Sequence, residues 1–130
     1  MRINIKRRWK DGKFKPVWKS QGQQEVVNHL YELKYKPQEE YFIEGKPFDI
    51  LITELNTIIE FNGTYWHCDP RKYKSDYYHQ YSKLTAEQIW NRDKEKIKLA
   101  ENAGYKVKVI WEDDWNNCEN KEEHLKLIIQ

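Results

Sequence analysis

Lys46-Pro47-Phe48-Asp49-Ile50-Leu51-Ile52 and Thr57-Ile58-Ile59-Glu60-Phe61-Asn62 are the two stretches on which the fold turns. Both are short, apolar and rich in β-branched residues, so both read as half-buried strands. Residues 53–56 join them as a turn. An antiparallel hairpin with that turn pairs 52 with 57, 51 with 58, 50 with 59 and 49 with 60, which sets Asp49 across from Glu60. Like charges opposed on a sheet repel, and partial burial raises the cost of ionising them. A bound Mg²⁺ ion removes the conflict, because hard cations take oxygen ligands and need only one or two carboxylates. The competing reading is two solvent-facing acids on a sheet edge. Trp66-His67 follows just past the second strand. Carboxylates set into strands beside a histidine point to a divalent metal and hydrolysis of a phosphodiester.

The chain around this hairpin has 130 residues, the length of one domain. Charged residues make up 34% and apolar ones 38%, so the core supply is thin and six Trp, nine Tyr and four Phe must fill much of it. The net charge is only +2, yet eight Lys/Arg against one acid, Asp11, fall within residues 1–20. Residues 1–19 thus read as a basic arm, irregular or a β-hairpin turning at Asp11-Gly12, ahead of a body spanning 20–130. Such an arm, with Arg7 and Arg8 among its cations, either meets a polyanion or is a solvated tail. Cys68 and Cys118 lie far apart, form no CxxC pair and read as free thiols. No secretory signal and no apolar run long enough for a bilayer are visible. The expectation is a soluble, cytoplasmic protein with no membrane partner.

Ser20 with Gln23 matches a capping box, and Val26, Val27, Leu30 and Leu33 form the apolar stripe of a helix that Pro37 ends. Glu40 to Ile43 reads as a short strand closed by Gly45. Gly63 to about Leu84 is polar, aromatic and basic, a long loop with room for some helix; loops of this length in small domains are usually functional. Thr85 and Gln88 open a second capping box. Ala86, Ile89, Trp90, Asp93, Ile97 and Ala100 share one helical face, and Gly104 supplies the stop. Val107, Val109 and Trp111 alternate with Lys106, Lys108 and Ile110 as a strand, and a last helix runs from Lys121 to Ile129. The order αβββαβ makes the class α/β (α+β) with a mixed sheet flanked by helices.

Asp93 sits within the apolar stripe of its helix, where acids are rarely left without a partner. It either pairs with Lys96 or Arg92, or faces a histidine or a metal-bound water. Glu25, at the edge of the first helix's stripe, reads by itself as a solvated residue. His67 is placed to take a proton from water if it reaches the carboxylates; otherwise it is structural. Tyr65 and Trp66 are core or contact residues. Arg71, Lys72 and Lys74, interleaved with Tyr73, Tyr77, Tyr78 and Tyr81, suit phosphate contact and base stacking.

Taken together, residues 20–115 resemble the PD-(D/E)XK nuclease superfamily, in particular its very-short-patch repair endonuclease branch. Pro47-Phe48-Asp49 is similar to the Pro-Asp element with one residue inserted, and Glu60-Phe61-Asn62 to (D/E)-X-K with asparagine in place of lysine. The segment from Phe61 to His67 resembles the stretch ending in an aromatic pair and a histidine. Asn91-Arg92-Asp93-Lys94 resembles the Arg-Asp helix, and Gly104 to Val107 with Ile110-Trp111-Glu112 the closing strand. Glu25, Asp49, Phe61, His67 and Asp93 then match an EDxHD pattern that also occurs in catalytic domains of phage homing endonucleases.

The resemblance implies a restriction-endonuclease-like fold and a Mg²⁺-dependent DNA endonuclease, with Mn²⁺ able to substitute. Its catalytic residues are Glu25, Asp49, His67 and Asp93. Asp49, Glu60, the Phe61 carbonyl and Glu25 serve as metal ligands. Tyr65 and Trp66, with Arg7 and Arg8 of the basic arm and Arg71, Lys72 and Lys74 of the long loop, are then expected to contact double-stranded DNA. Asp113-Asp114 follows Glu112 where the repair enzymes carry cysteine ligands, so no structural zinc is expected. A structure-selective nickase or junction resolvase, and a non-catalytic nucleic-acid-binding module, are the alternatives. Target choice then rests with the arm, a partner subunit or a separate specificity domain.

Overall fold

The computed structural model describes the backbone of residues 3–10 and 13–130, and side chains from Trp18's successor, Lys19, onward. The Asp11-Gly12 turn and the side chains of Arg7 and Arg8 therefore lie outside the described residues. Strands β1 (Ile3–Lys10) and β2 (Lys13–Ser20) pair antiparallel, in register from Ile3 with Ser20 to Lys10 with Lys13. At the end of β2, Lys19 is buried and forms an ion pair with Glu39.

Helix α1 (Gln21–Glu32) starts where the Ser20 hydroxyl accepts the Gln23 N–H at 3.2 Å, satisfying one of the unpaired donors of the first turn. It ends before Pro37 is reached: the chain reverses at Lys34, whose φ is 73°, and β3 (Pro37–Ile43) begins at the proline itself. This strand is thus longer than the Glu40–Ile43 segment expected. Strands β4 (Lys46–Ile52) and β5 (Thr57–Asn62) follow, joined by a 3₁₀ turn at Thr53–Leu55 and a left-handed Asn56 with φ 50°. Asparagine is among the few residues with a side chain that adopt this conformation readily.

The segment after β5 contains no helix. It carries a two-residue hairpin, β6 (Tyr78–His79) with β7 (Leu84–Thr85), and leads into α2 (Ala86–Asn102). The capping box of α2 forms in both directions, Thr85 with the Gln88 N–H and Gln88 with the Thr85 N–H. Gly104, at φ 98°, then turns the chain into β8 (Lys106–Trp111). A short helix that the sequence did not announce, α3 (Glu112–Asn117), begins on three acids that favour a helix N-terminus. Helix α4 (Lys121–Ile128) is capped by Asn120.

The main sheet runs β3-β4-β5-β8, antiparallel except for the parallel β5–β8 pair. It is a mixed four-stranded α+β sheet with helices on both faces. On one face Ile50, Ile52, Ile59, Phe61 and Ile110 pack with Val26, Val27 and Leu30 of α1, Trp115 of α3 and Leu125 of α4. On the other, Phe48, Leu51 and Ile58 pack with Ala100 and Leu99 of α2. Two expectations change as a result. All six residues of β5 are buried, not half of them, because the strand is central and covered on both sides. In β8 it is Ile110, grouped with the lysines by alternation, that enters the core, at 1% exposure. Gly22 of α1 lies against β5, where an added Cβ would lie 2.4 Å from the tip of the Phe61 ring.

Candidate active site

The strand register is the one the hairpin argument requires. Ile52 pairs with Thr57, Leu51 with Ile58 and Ile50 with Ile59, and there the ladder stops. On the other side of β4 the ladder skips the same place: Glu39 pairs with Ile50 and Tyr41 with Phe48, while Glu40 takes a φ of 53° between them. Asp49 therefore sits in a local break of the sheet, and side chains supply the missing bonds. Glu60 Oε1 accepts the Asp49 N–H at 2.8 Å, and Asp49 Oδ2 accepts the Phe61 N–H at 2.8 Å. Each carboxylate thus spends one oxygen on the opposite strand's backbone.

The second oxygen of Glu60, Oε2, accepts from Lys96 Nζ of α2 at 2.8 Å, and the same ammonium stands 4.7 Å from the centre of the Phe48 ring. Burial, then the Glu60 charge, push the Asp49 carboxyl up to about 7; the Phe61 N–H, Lys96 and His67 act in the opposite direction. Carboxylates so perturbed occur more often at functional sites than elsewhere.

His67 is held by its neighbours in a tight run of turns. Its N–H donates to the Gly63 carbonyl at 3.1 Å, Cys68 and Asp69 donate back to Tyr65 and Thr64, and Cys68 adopts φ 48°. Cys68 is fully buried against Ala86 and Ile89, and the Trp90 indole donates to its carbonyl at 2.6 Å. This anchors the turn to α2, one turn before Asp93. His67 Nδ1 then lies 2.7 Å from Asp93 Oδ2. With Asp93 accepting from Nδ1–H, Nε2 is left as the proton acceptor. Asp93 also meets Arg92 at 3.4 Å, but Lys96 goes to Glu60 instead.

The structure thus brings Asp49 and Glu60 together and joins His67 to Asp93; of the influences on the Asp49 carboxyl, the His67 charge is the smallest. Phe61 touches the pair through its N–H. Glu25 has a different neighbour: its Oε1 accepts the indole N–H of fully buried Trp115 at 3.0 Å. Among the described residues, no three His, Cys, Asp or Glu side chains converge closely enough to hold a metal by themselves, so neither Glu25 nor His67 completes such a set with Asp49 and Glu60. Two carboxylates are still a fitting donor set for Mg²⁺, which commonly binds one or two protein oxygens together with substrate phosphate.

Tyr65 and Trp66 pack on each other and on buried His79, the Tyr65 and His79 ring centres 4.2 Å apart, and Tyr81 meets the Trp66 ring edge-on. His79 Nδ1 accepts the Ser82 N–H inside the small hairpin, and the His79 ring joins that hairpin to the aromatic pair. Arg71 grips Asp69 through Nε and a terminal nitrogen and reaches Asp114 at 2.8 Å. Its hydrogen bonds to Asp69 hold that carboxyl below its usual range. Lys72 pairs with Asp113 at 3.3 Å. The acids that follow Glu112 therefore fasten the loop to α3. Lys74 is exposed. Cys68 and Cys118 are free thiols. No helix among the described residues is long and apolar enough to cross a membrane.

Lys96 is the residue that sequence reasoning missed. Its only signal was its position three residues after Asp93, on the same side of the helix. That spacing suggested a partner for Asp93, whereas the sheet lies within reach of the longer side chain.

No family model matches this sequence, and no curated protein matches it. Among solved structures, the catalytic domain of the homing endonuclease I-Bth0305I is similar, with a TM-score of 0.56 and 19% identity over 85% of this chain and 94% of that one. At this identity the likeness is one of fold.

Proposed function

We propose that the protein is a divalent-metal-dependent DNA endonuclease of the very-short-patch-repair-like, EDxHD type, serving as the catalytic domain of a homing endonuclease or a repair-type nickase. The observation that carries this reading is the break in the sheet at Asp49. Two carboxylates meet there, and a histidine oriented by an aspartate lies in the turn that follows β5. The fold shared with a homing endonuclease catalytic domain supports it.

Asp49 and Glu60, with the Phe61 carbonyl, would hold Mg²⁺ or Mn²⁺, which supplies charge neutralisation and polarisation of a phosphodiester. The protein's own residues do the rest. His67 Nε2 takes the proton of the attacking water, and Asp93 keeps the imidazole in the required tautomer and stabilises its charged form. Glu25 contributes through α3, which it holds by Trp115, as well as by its remaining oxygen. Double-stranded DNA is the substrate. Tyr65 and Trp66 press on its bases, Lys74 and the basic arm of residues 1–19 contact phosphates in a salt-sensitive way, and specificity comes from that arm or a separate domain.

Cleavage of supercoiled plasmid in Mg²⁺ tests the reading. Nicked or linear product that disappears in EDTA, in Asp49→Ala and in His67→Ala is expected. DNA binding without cleavage in either Mg²⁺ or Mn²⁺ refutes the enzyme and leaves a binding module.

A further inference from the structure

One oxygen of each carboxylate is committed to the opposing backbone, Glu60 Oε1 to the Asp49 N–H and Asp49 Oδ2 to the Phe61 N–H. A cation entering the pair meets most readily the other two oxygens, which no backbone group occupies. The one on Glu60 is taken by Lys96 Nζ at 2.8 Å. Lys96 has a second hold, 4.7 Å from the Phe48 ring centre, where ammonium and aromatic face attract. Its side chain is 26% exposed against 8% for Glu60, so it sits at the mouth of the site with water on one side. A lysine is a compact charge on a flexible stem and is able to leave without disturbing α2.

We propose that Lys96 is the resident counterion of the Asp49–Glu60 pair and competes with the divalent cation for it. Metal binding then requires Lys96 to release Glu60. In the metal-free protein the lysine holds the two acids in place; once displaced, its charge remains beside the site, where a phosphate is its natural partner. This inference rests on the reading of Asp49 and Glu60 as the metal site.

Mn²⁺ binding to the full chain without DNA, followed by electron paramagnetic resonance, tests it. Lys96→Met keeps the stem on Phe48 and removes the charge; it is expected to bind Mn²⁺ about tenfold more tightly than wild type. Lys96→Arg, which keeps the charge, is expected to stay at wild-type affinity. Asp49→Asn is expected to bind weakly. Lys96→Gln serves if the methionine variant does not fold. Equal or weaker binding by the neutral variants, with binding still lost in Asp49→Asn, overturns the competition and leaves the metal site standing. Absence of saturable Mn²⁺ binding in every variant overturns both.

Discussion

Replacing Asp49 with asparagine is predicted to make the metal-free protein more stable above neutral pH, although it removes a residue assigned to the site. In the folded chain the carboxyl is pushed from 3.8 to about 7, first by burial and then by Glu60. Because the folded state holds this proton more tightly than the unfolded one, the stabilising contribution is complete below pH 4 and is lost as pH rises towards 7. At 1.36 kcal/mol for each pH unit, the difference amounts to about 4 kcal/mol above pH 7. Asparagine mimics the protonated acid, and its carbonyl oxygen can accept the Phe61 N–H in the place of Asp49 Oδ2. The two proteins should therefore melt together near pH 4 and separate as pH climbs, the variant ahead by roughly 10 °C or more at pH 8. Thermal denaturation in EDTA across pH 4 to 8 measures this, and the difference between the two curves cancels the groups that do not interact with Asp49. Adding Mg²⁺ at pH 8 should raise the wild type and leave the variant unmoved. Parallel curves across the whole range would mean that Asp49 is not a buried, repelled carboxylate, and the electrostatic case for the site would fail.

Four further outcomes follow from other contacts. Asp93→Asn should cut DNA cleavage by about a hundredfold or more while DNA binding persists, since it removes the charge that stabilises a protonated His67 and lets an amide NH2 hold the wrong tautomer; plasmid-nicking rates beside a gel-shift titration decide it. Gly22→Ala should destabilise the fold by about 1–3 kcal/mol, because the new methyl meets the Phe61 ring at 2.4 Å, and urea unfolding reads the loss. Glu25→Ala should destabilise by about 1–3 kcal/mol by leaving the buried Trp115 indole unbonded. Glu25→Gln keeps an acceptor there and should unfold close to wild type, so any activity it loses reports on charge alone. Arg71→Ala should lower the melting midpoint more than Lys72→Ala, because the carboxylate it strands, Asp69, is 0% exposed while that of Asp113 is 38% exposed.

Much of the fold was legible in order along the chain because the signals are local. The serine and threonine caps, the apolar stripes of α1 and α2, the turn at residues 53–56 and Gly104 each act within a few residues of themselves. The hairpin register followed from turn length, and with it the opposition of Asp49 and Glu60. The pairing of β8 with β5 and the burial of Ile110 were not legible, since they depend on which strand ends up central. Helix α3 was missed because six residues carry too few periods to be read as a pattern.

The sequence by itself determined most of the principal helices and strands, where two acids meet and which histidine follows them, because propensity, capping and register are short-range. Tertiary structure decided who partners whom. Lys96 lies 36 residues from Glu60, Asp93 26 from His67, and Trp115 90 from Glu25. Long side chains choose among neighbours only after helices have packed on the sheet, and the distances that rank those neighbours do not exist before then.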